Sequence, residues 1–175
     1  ATADGYAICF AESDVRPMGR EAVGVRGIKL RDGDHVVGAL PAVEGAQLLS
    51  ITENGYGKRT AVSEYLRGGE DAGPQKRGGM GLKSYNVTEK TGCVADVRMV
   101  QGDEDVLIVA DDGTIIRTGV SGISVLGRAT QGVRIMRPNE GAKVISAALT
   151  DAEEDESTGS AENVENSAEA TEESE

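Results

Sequence analysis

The 175 residues hold 18 lysines and arginines against 30 acidic side chains, a formal net charge of −12, with 24 glycines and only 3% aromatic residues. A chain of this length can bury a core, but the core must be built from Val, Ile, Leu and Ala. No apolar run approaches the roughly 18 residues of a membrane-spanning helix, and no signal peptide opens the chain. Cys9 and Cys93 lack CxxC spacing and a histidine cluster. They read as reduced, buried thiols of a cytosolic protein, with a disulfide or a metal site as the lesser reading.

In chain order, the first signal is Asp4-Gly5 ahead of Tyr6-Ala7-Ile8. Asp-Gly and Asn-Gly between apolar runs mark hairpins, because a type I′ turn needs positive φ at both central residues. The chain does not begin with methionine and this turn already stands mid-hairpin, which points to a C-terminal part of something longer. Asp32-Gly33-Asp34-His35, with the single histidine, reads as a surface turn. Gln47–Thr52 reads as a strand, followed by the turn Asn54-Gly55 and by Tyr56-Gly57-Lys58-Arg59. Gly102-Asp103-Glu104-Asp105 lacks the alternating ligands and closing glutamate of a calcium loop and is expected to be an acidic hairpin turn. Val106–Ala110, Thr114–Arg117 after Asp112-Gly113, Gly132–Met136 and Val144–Ala147 complete the predicted strands. No stretch sustains a 3.6-residue apolar period.

One phrase occurs three times: Arg20-Glu21-Ala22-Val23-Gly24-Val25, Arg77-Gly78-Gly79-Met80-Gly81-Leu82 and Arg128-Ala129-Thr130-Gln131-Gly132-Val133. Each is an arginine, three residues, a glycine and an aliphatic residue. The arginines lie 57 and 51 residues apart, and the turn glycines Gly5, Gly55 and Gly113 lie 50 and 58 apart. A period of this order signals an array of one supersecondary unit. Short β-branched runs separated by glycine turns make that unit a small sheet, so the expected fold is all-β, with about three four-stranded blades as in a propeller.

Charge is unevenly distributed. All 18 basic residues lie in 1–150, beside 19 acidic ones, while 151–175 carries 11 acidic residues and no basic or aromatic one. Two regions follow: folded blades over 1–150 and an acidic tail over 151–175, expected to be disordered because it cannot bury enough apolar surface. The negative total therefore does not exclude an anionic partner for the blades. Between Asn54 and Lys83 the chain gathers Lys58, Arg59, Arg67, Lys76, Arg77 and Lys83. Basic side chains beside the glycines of Gln75–Gly81 suit phosphate, since glycine backbone N–H groups can approach an anion closely, although such a segment taken alone also reads as an ordinary solvated surface. No recognition helix is present to read bases. Arg20, Arg77 and Arg128 share one repeat position, and Arg59 and Arg117 share another, so these arginines are expected to form a stripe along a curved edge, as duplex bending requires.

These residues also resemble a known family. Thr52–Thr60 with Glu64-Tyr65, Arg77–Gly81, Asn86–Gly92, Ile115–Arg117, Val120–Ser124 and Gly127–Val133 look like blades of the C-terminal domain of DNA gyrase A. So do Val15–Arg20 and Gly24–Ile28 at the front, and the resemblance runs to about residue 149. It implies a β-pinwheel, a disc of about six blades that wraps duplex DNA without sequence preference around its rim, of which about three are present. From the repeat positions, the basic segment and the front motif together, the residues expected to bind DNA are Arg16, Arg20, Lys58, Arg59, Lys76, Arg77, Lys83, Arg117 and Arg128. Gln75–Gly81 resembles the family's basic heptapeptide but has Met80 in place of a basic residue and stands in a later blade, so it reads as a degenerate counterpart. Cys9 departs from the Arg59 and Arg117 position.

The resemblance further implies a parent that is a bacterial, ATP-dependent DNA topoisomerase, cytoplasmic and nucleoid-associated, pairing with a gyrase B partner in an A2B2 complex through a region not present here. ATP and Mg2+ would be used by other parts of that parent, with no cofactor and no catalytic residue in this chain. Tyr6, Tyr56, Tyr65 and Tyr85 lie outside the family's DNA-cleaving tyrosine motif and read as packing or rim residues. The topoisomerase IV paralogue and a propeller-type protein scaffold are the competing readings. The tail, a coil of roughly 25–30 Å reach, is expected to compete with DNA for the basic edge, the alternative being a plain solubility tail.

Overall fold

The protein is described by a computed structural model over residues 1–67 and 73–152. Its strands in chain order are β1 (Tyr6–Ala7), β2 (Gln47–Thr52), β3 (Tyr56–Ala61), β4 (Leu82–Lys83), β5 (Val94–Val100), β6 (Glu104–Ala110), β7 (Ile115–Gly119), β8 (Val133–Arg134) and β9 (Val144–Asp151). Short 3-10 turns lie at Glu12–Asp14, Val62–Tyr65 and Val120–Gly122, and there is no α-helix among the described residues.

The strands form three antiparallel sheets. The middle sheet runs β5-β2-β3-β8, the last runs β7-β6-β9, and the first pairs β1 with β4. A bridge between Thr2 and Val36, with Ala3 donating to the His35 carbonyl and Val37 to that of Ala1, extends the first sheet. The expected turns build the hairpins: Gly5, Gly55 and Gly113 have φ of +79°, +76° and +86°. Two of the sheets then receive an edge strand from a distant part of the chain. Tyr6 pairs with Lys83 in the first sheet and Tyr56 with Arg134 in the second. Two glycines make these insertions possible. Gly81 (φ +70°) lies so near β1 that a Cβ would stand 2.6 Å from the Ala7 carbonyl oxygen, and Gly132 (φ +71°) would place one 2.5 Å from that of Gly57. An L-side chain there would be both strained and obstructed.

The core lies between sheets. Leu48 and Leu49, adjacent on β2, point to opposite faces. Leu48 packs with Ala7, Tyr65, Tyr85, Val94 and Val97 toward the first sheet, and Leu49 with Ile51, Val106, Ile108, Val120 and Met136 toward the last. A middle sheet covered on both faces explains the unbroken run Leu48-Leu49-Ser50-Ile51, where a sheet with one wet face would alternate. Fully burying each such aliphatic side chain contributes roughly 1.5–3 kcal/mol.

Several expectations are corrected. The periodicity reading passes over β5, because Asp96 and Arg98 interrupt its apolar residues; in the fold they pair with each other at 2.8 Å. The acidic turn is not a hairpin: it links β5 in the middle sheet to β6 in the last, and the Glu104 carboxylate accepts from the Gln101 and Gly102 amides at 2.9 and 2.8 Å. Only the middle sheet has four named strands among the described residues. Cys9 and Cys93 are free and half-buried, not fully enclosed. His35 is exposed in its turn, as expected. Asp151, the first residue of the expected tail, ends β9, and residues 153–175 lie outside the described part.

Candidate nucleic-acid interface

The glycine of the repeated phrase takes positive φ in all three copies: +87° at Gly24, +70° at Gly81 and +71° at Gly132. The residue two places later is basic each time: Arg26, Lys83 and Arg134, all exposed. Backbone geometry matches the copies to one another. Lys29 donates to the Gly79 carbonyl at 2.8 Å, and Asn86, its counterpart one repeat on, donates to Thr130 at 3.0 Å. Lys83 and Arg134 therefore sit on inserted edge strands, where alternation of side chains along the strand turns them away from the core.

Opposite these strands stand tyrosines. Tyr56 is 6% exposed, and Arg134 donates from Nη2 to its hydroxyl at 2.6 Å with the guanidinium carbon 4.8 Å from the ring centroid. Lys90 Nζ is 5.5 Å from the same centroid. Bonding by Arg134 holds the Tyr56 phenol below its ordinary range, the charges of Arg134 and Lys90 adding to the effect. In the first sheet Arg31 lies over Tyr6, its guanidinium carbon 3.1 Å from the centroid. The last sheet carries Thr114 at this position.

The residues expected to contact DNA are distributed differently from the expected stripe. Arg16, Arg20, Lys76 and Lys83 are exposed. Lys58 is a correction: it is 0% exposed, and its ammonium donates to the Gly127 carbonyl at 2.7 Å, to the Arg128 carbonyl and to Thr130 Oγ1 at 3.1 Å. Burial pushes its pKa down to about 8, against the pull of Glu64. Arg59 also turns inward, donating to the carbonyls of Ile123 at 2.7 Å and Ser121 at 3.0 Å and to Gln47 at 3.0 Å. Arg117 at the same repeat position faces the Asp105 carboxylate at 2.8 Å.

Two of the phrase arginines, Arg77 and Arg128, have a shared structural task, while Arg20 is exposed. Arg77 donates to the Asp14 carbonyl at 2.8 Å and to that of Arg26 at 3.3 Å, while Arg128 approaches Glu64 at 3.6 Å. Asp14 and Glu64 occupy matching places in two successive 3-10 turns, so each arginine straps its loop to the turn of the neighbouring sheet. Arg26 and Arg134 were missed in the sequence, although the signal was present one residue beyond the phrase as written.

The comparisons with known proteins agree with this architecture. The DNA gyrase C-terminal domain, beta-propeller, is matched by residues 1–42, 46–100 and 104–151. The chain belongs to the DNA gyrase C-terminal domain family. The gyrase A protein of Staphylococcus epidermidis is 45% identical over 156 residues, 88% of this chain and 17% of that protein. A solved DNA gyrase A C-terminal domain is 32% identical with a TM-score of 0.75, covering 85% of this chain and 48% of the domain. The C-terminal domain of DNA topoisomerase IV has a TM-score of 0.76 at 22% identity, covering 86% and 45%, and shares the fold. The chain thus spans under a fifth of that gyrase relative and about half of these solved domains. The expected fold class and family hold. Among the described residues no helix is long and apolar enough to cross a membrane.

Proposed function

We propose that this chain binds duplex DNA through phosphates, without sequence preference, and bends it as part of the wrapping surface of a gyrase A protein. The observation that supports the reading best is the exposed basic residue repeated at one structural position, Arg26, Lys83 and Arg134. The exposed Arg16, Arg20 and Lys76 extend the same role, while Arg59, Arg77, Arg117 and Arg128 contribute chiefly by holding sheets and loops in place. Bending a 20–30 base-pair site by 40–90° costs about 1–6 kcal/mol, which many phosphate contacts must offset. Identity to gyrase A relatives favours gyrase over the topoisomerase IV paralogue. In a parent enzyme, assembly with gyrase B into A2B2, use of ATP and Mg2+ through regions outside this chain, and a cytoplasmic, nucleoid-associated location belong to the same proposal.

The test is duplex binding against salt. Each phosphate neutralised contributes about −0.9 to the log–log slope, so replacing Arg26, Lys83 and Arg134 together by alanine is expected to flatten the slope by about 3 and weaken all sequences alike. Unchanged binding would remove this row from the DNA path. Ligation of nicked circles in the presence of the chain is expected to trap a shifted linking number; binding without a shift would mean contact without wrapping.

A further inference from the structure

Among the described residues some cations face carboxylates and others face tyrosine rings, besides Lys58, Arg59 and Arg77, which carbonyl oxygens hold. Arg98 faces Asp96, Arg117 faces Asp105, Arg128 faces Glu64 and Lys143 faces Glu53. A carboxylate fixes a cation but cancels its charge, and a phosphate must then displace it. Arg31, Lys90 and Arg134 are instead placed against tyrosine rings. A ring and a neutral hydroxyl orient a cation and leave its net charge intact.

The Tyr56 station is built from both sides. The Tyr56 amide donates to Thr52 Oγ1 at 3.2 Å and that buried hydroxyl donates back to the Tyr56 carbonyl at 3.3 Å, which fixes the backbone beneath the ring. Asn54, in the same turn, donates from Nδ2 to the carbonyls of Glu89 and Lys90, both at 3.1 Å, tying the Lys90 loop to that turn. Arg134 arrives on β8, whose next residues Ile135 and Met136 both donate to the Gly55 carbonyl at 2.9 and 3.0 Å. Two exposed cations from segments more than 40 residues apart are thereby brought to one buried ring.

We propose that Tyr56 is a positioning residue that presents Arg134 and Lys90, with their charge uncancelled, to a single stretch of DNA phosphates. Resting on the DNA-binding reading above, this adds a neutral holder that orders two cations before the duplex arrives. Ordering one long side chain in advance is worth about a threefold to tenfold gain in affinity. Tyr6 and Arg31 form the related station of the first sheet.

The test uses the full chain and a mixed-sequence duplex. Tyr56→Phe keeps the ring and removes the acceptor; it is expected to lose about three- to tenfold in affinity with the salt slope nearly kept, since no charge is removed. Arg134→Gln should lose affinity and also flatten the slope by about 1. A spectroscopic arm follows the phenol directly. The charged or titratable groups facing it are Arg134, Lys90 and Tyr85. Phosphate bound at the two cations offsets their pull, so duplex should move the Tyr56 ionisation, read by ultraviolet difference absorbance against Tyr56→Phe, to higher pH. Arg134→Gln should raise it without DNA and shrink the DNA-induced shift. Wild-type binding with an unaltered Tyr56→Phe affinity and an unmoved ionisation overturns the positioning role alone. Absence of any wild-type duplex binding overturns both readings.

Discussion

Lys58 shows how one side chain can match a nucleic-acid signature and serve the interior. Its ammonium lies where three oxygens of the Gly127–Thr130 loop converge, and the Tyr85 ring stands 5.0 Å away. Because its pKa is pushed down from 10.5 to about 8, the folded chain releases the Lys58 proton before the unfolded chain does. Between these two values the unfolded state binds more protons, so stability attributable to Lys58 should rise with pH from about 8 to 10.5. Below pH 8 the cost of enclosing the charge is present in full. Lys58→Met should abolish that rise and, by leaving buried carbonyls without a donor, cost about 1–3 kcal/mol at pH 7. Urea unfolding at pH 7 and 9.5 separates the two effects; a Met variant with the wild-type pH profile would place the titration elsewhere.

At the level of elements, the inserted strands β4 and β8 depend on close backbone approach. Gly132→Ala should therefore cost more than Gly113→Ala, although both residues have positive φ. At Gly113 no atom lies within 4 Å of a new Cβ, so only the left-handed conformation is penalised, at about 1–2 kcal/mol. At Gly132 the same penalty is joined by collision with the Gly57 carbonyl and the Tyr85 hydroxyl at 2.5 and 2.6 Å. Thermal melts of the two variants should rank them in that order, and amide exchange of β3 should accelerate in Gly132→Ala alone. Equal melting losses would mean that β8 can shift away without consequence.

For the whole molecule, the joint between the middle and last sheets rests on Asp96. Its Oδ2 accepts from Arg98 Nη2 at 2.8 Å and from the Ala147 amide at 2.7 Å, while Arg98 Nε donates to the Ala147 carbonyl at 2.8 Å. Asp96 lies on β5 and Ala147 on β9, so one carboxylate joins two sheets. Asp96→Asn removes the charge and exchanges an acceptor for a donor facing two donors. The expected loss is about 2–3 kcal/mol, less than for a wholly buried pair because the Arg98 side chain is 31% exposed. Denaturant unfolding followed by probes in the middle and last sheets should show a lower midpoint, and separated transitions if the joint also carries cooperativity. A midpoint unchanged within error would assign the joint to the aliphatic core around Ile51, Val106 and Ile108.

The sequence by itself determined the local grammar of this protein. Asn-Gly and Asp-Gly set the hairpins, β-branched runs set β2, β6, β7 and β9, and recurrence of the arginine–glycine phrase set the array, because backbone sterics and side-chain periodicity act over a few residues. The direction in which each cation points was left to tertiary structure. Lys58 and Arg59 share a strand and a charge with any basic surface run, yet both turn into loops more than 60 residues away. Lys83, named from its charge alone, and Arg26 and Arg134, passed over, are exposed at one equivalent position. Tyr6 meets Lys83, and Tyr56 meets Arg134, only because a strand from another repeat is inserted beside each hairpin. No local pattern specifies a pairing at a separation of 78 residues. It is chosen by the burial of Tyr85 and Met136 beside those strands and by the glycines that let two backbones meet.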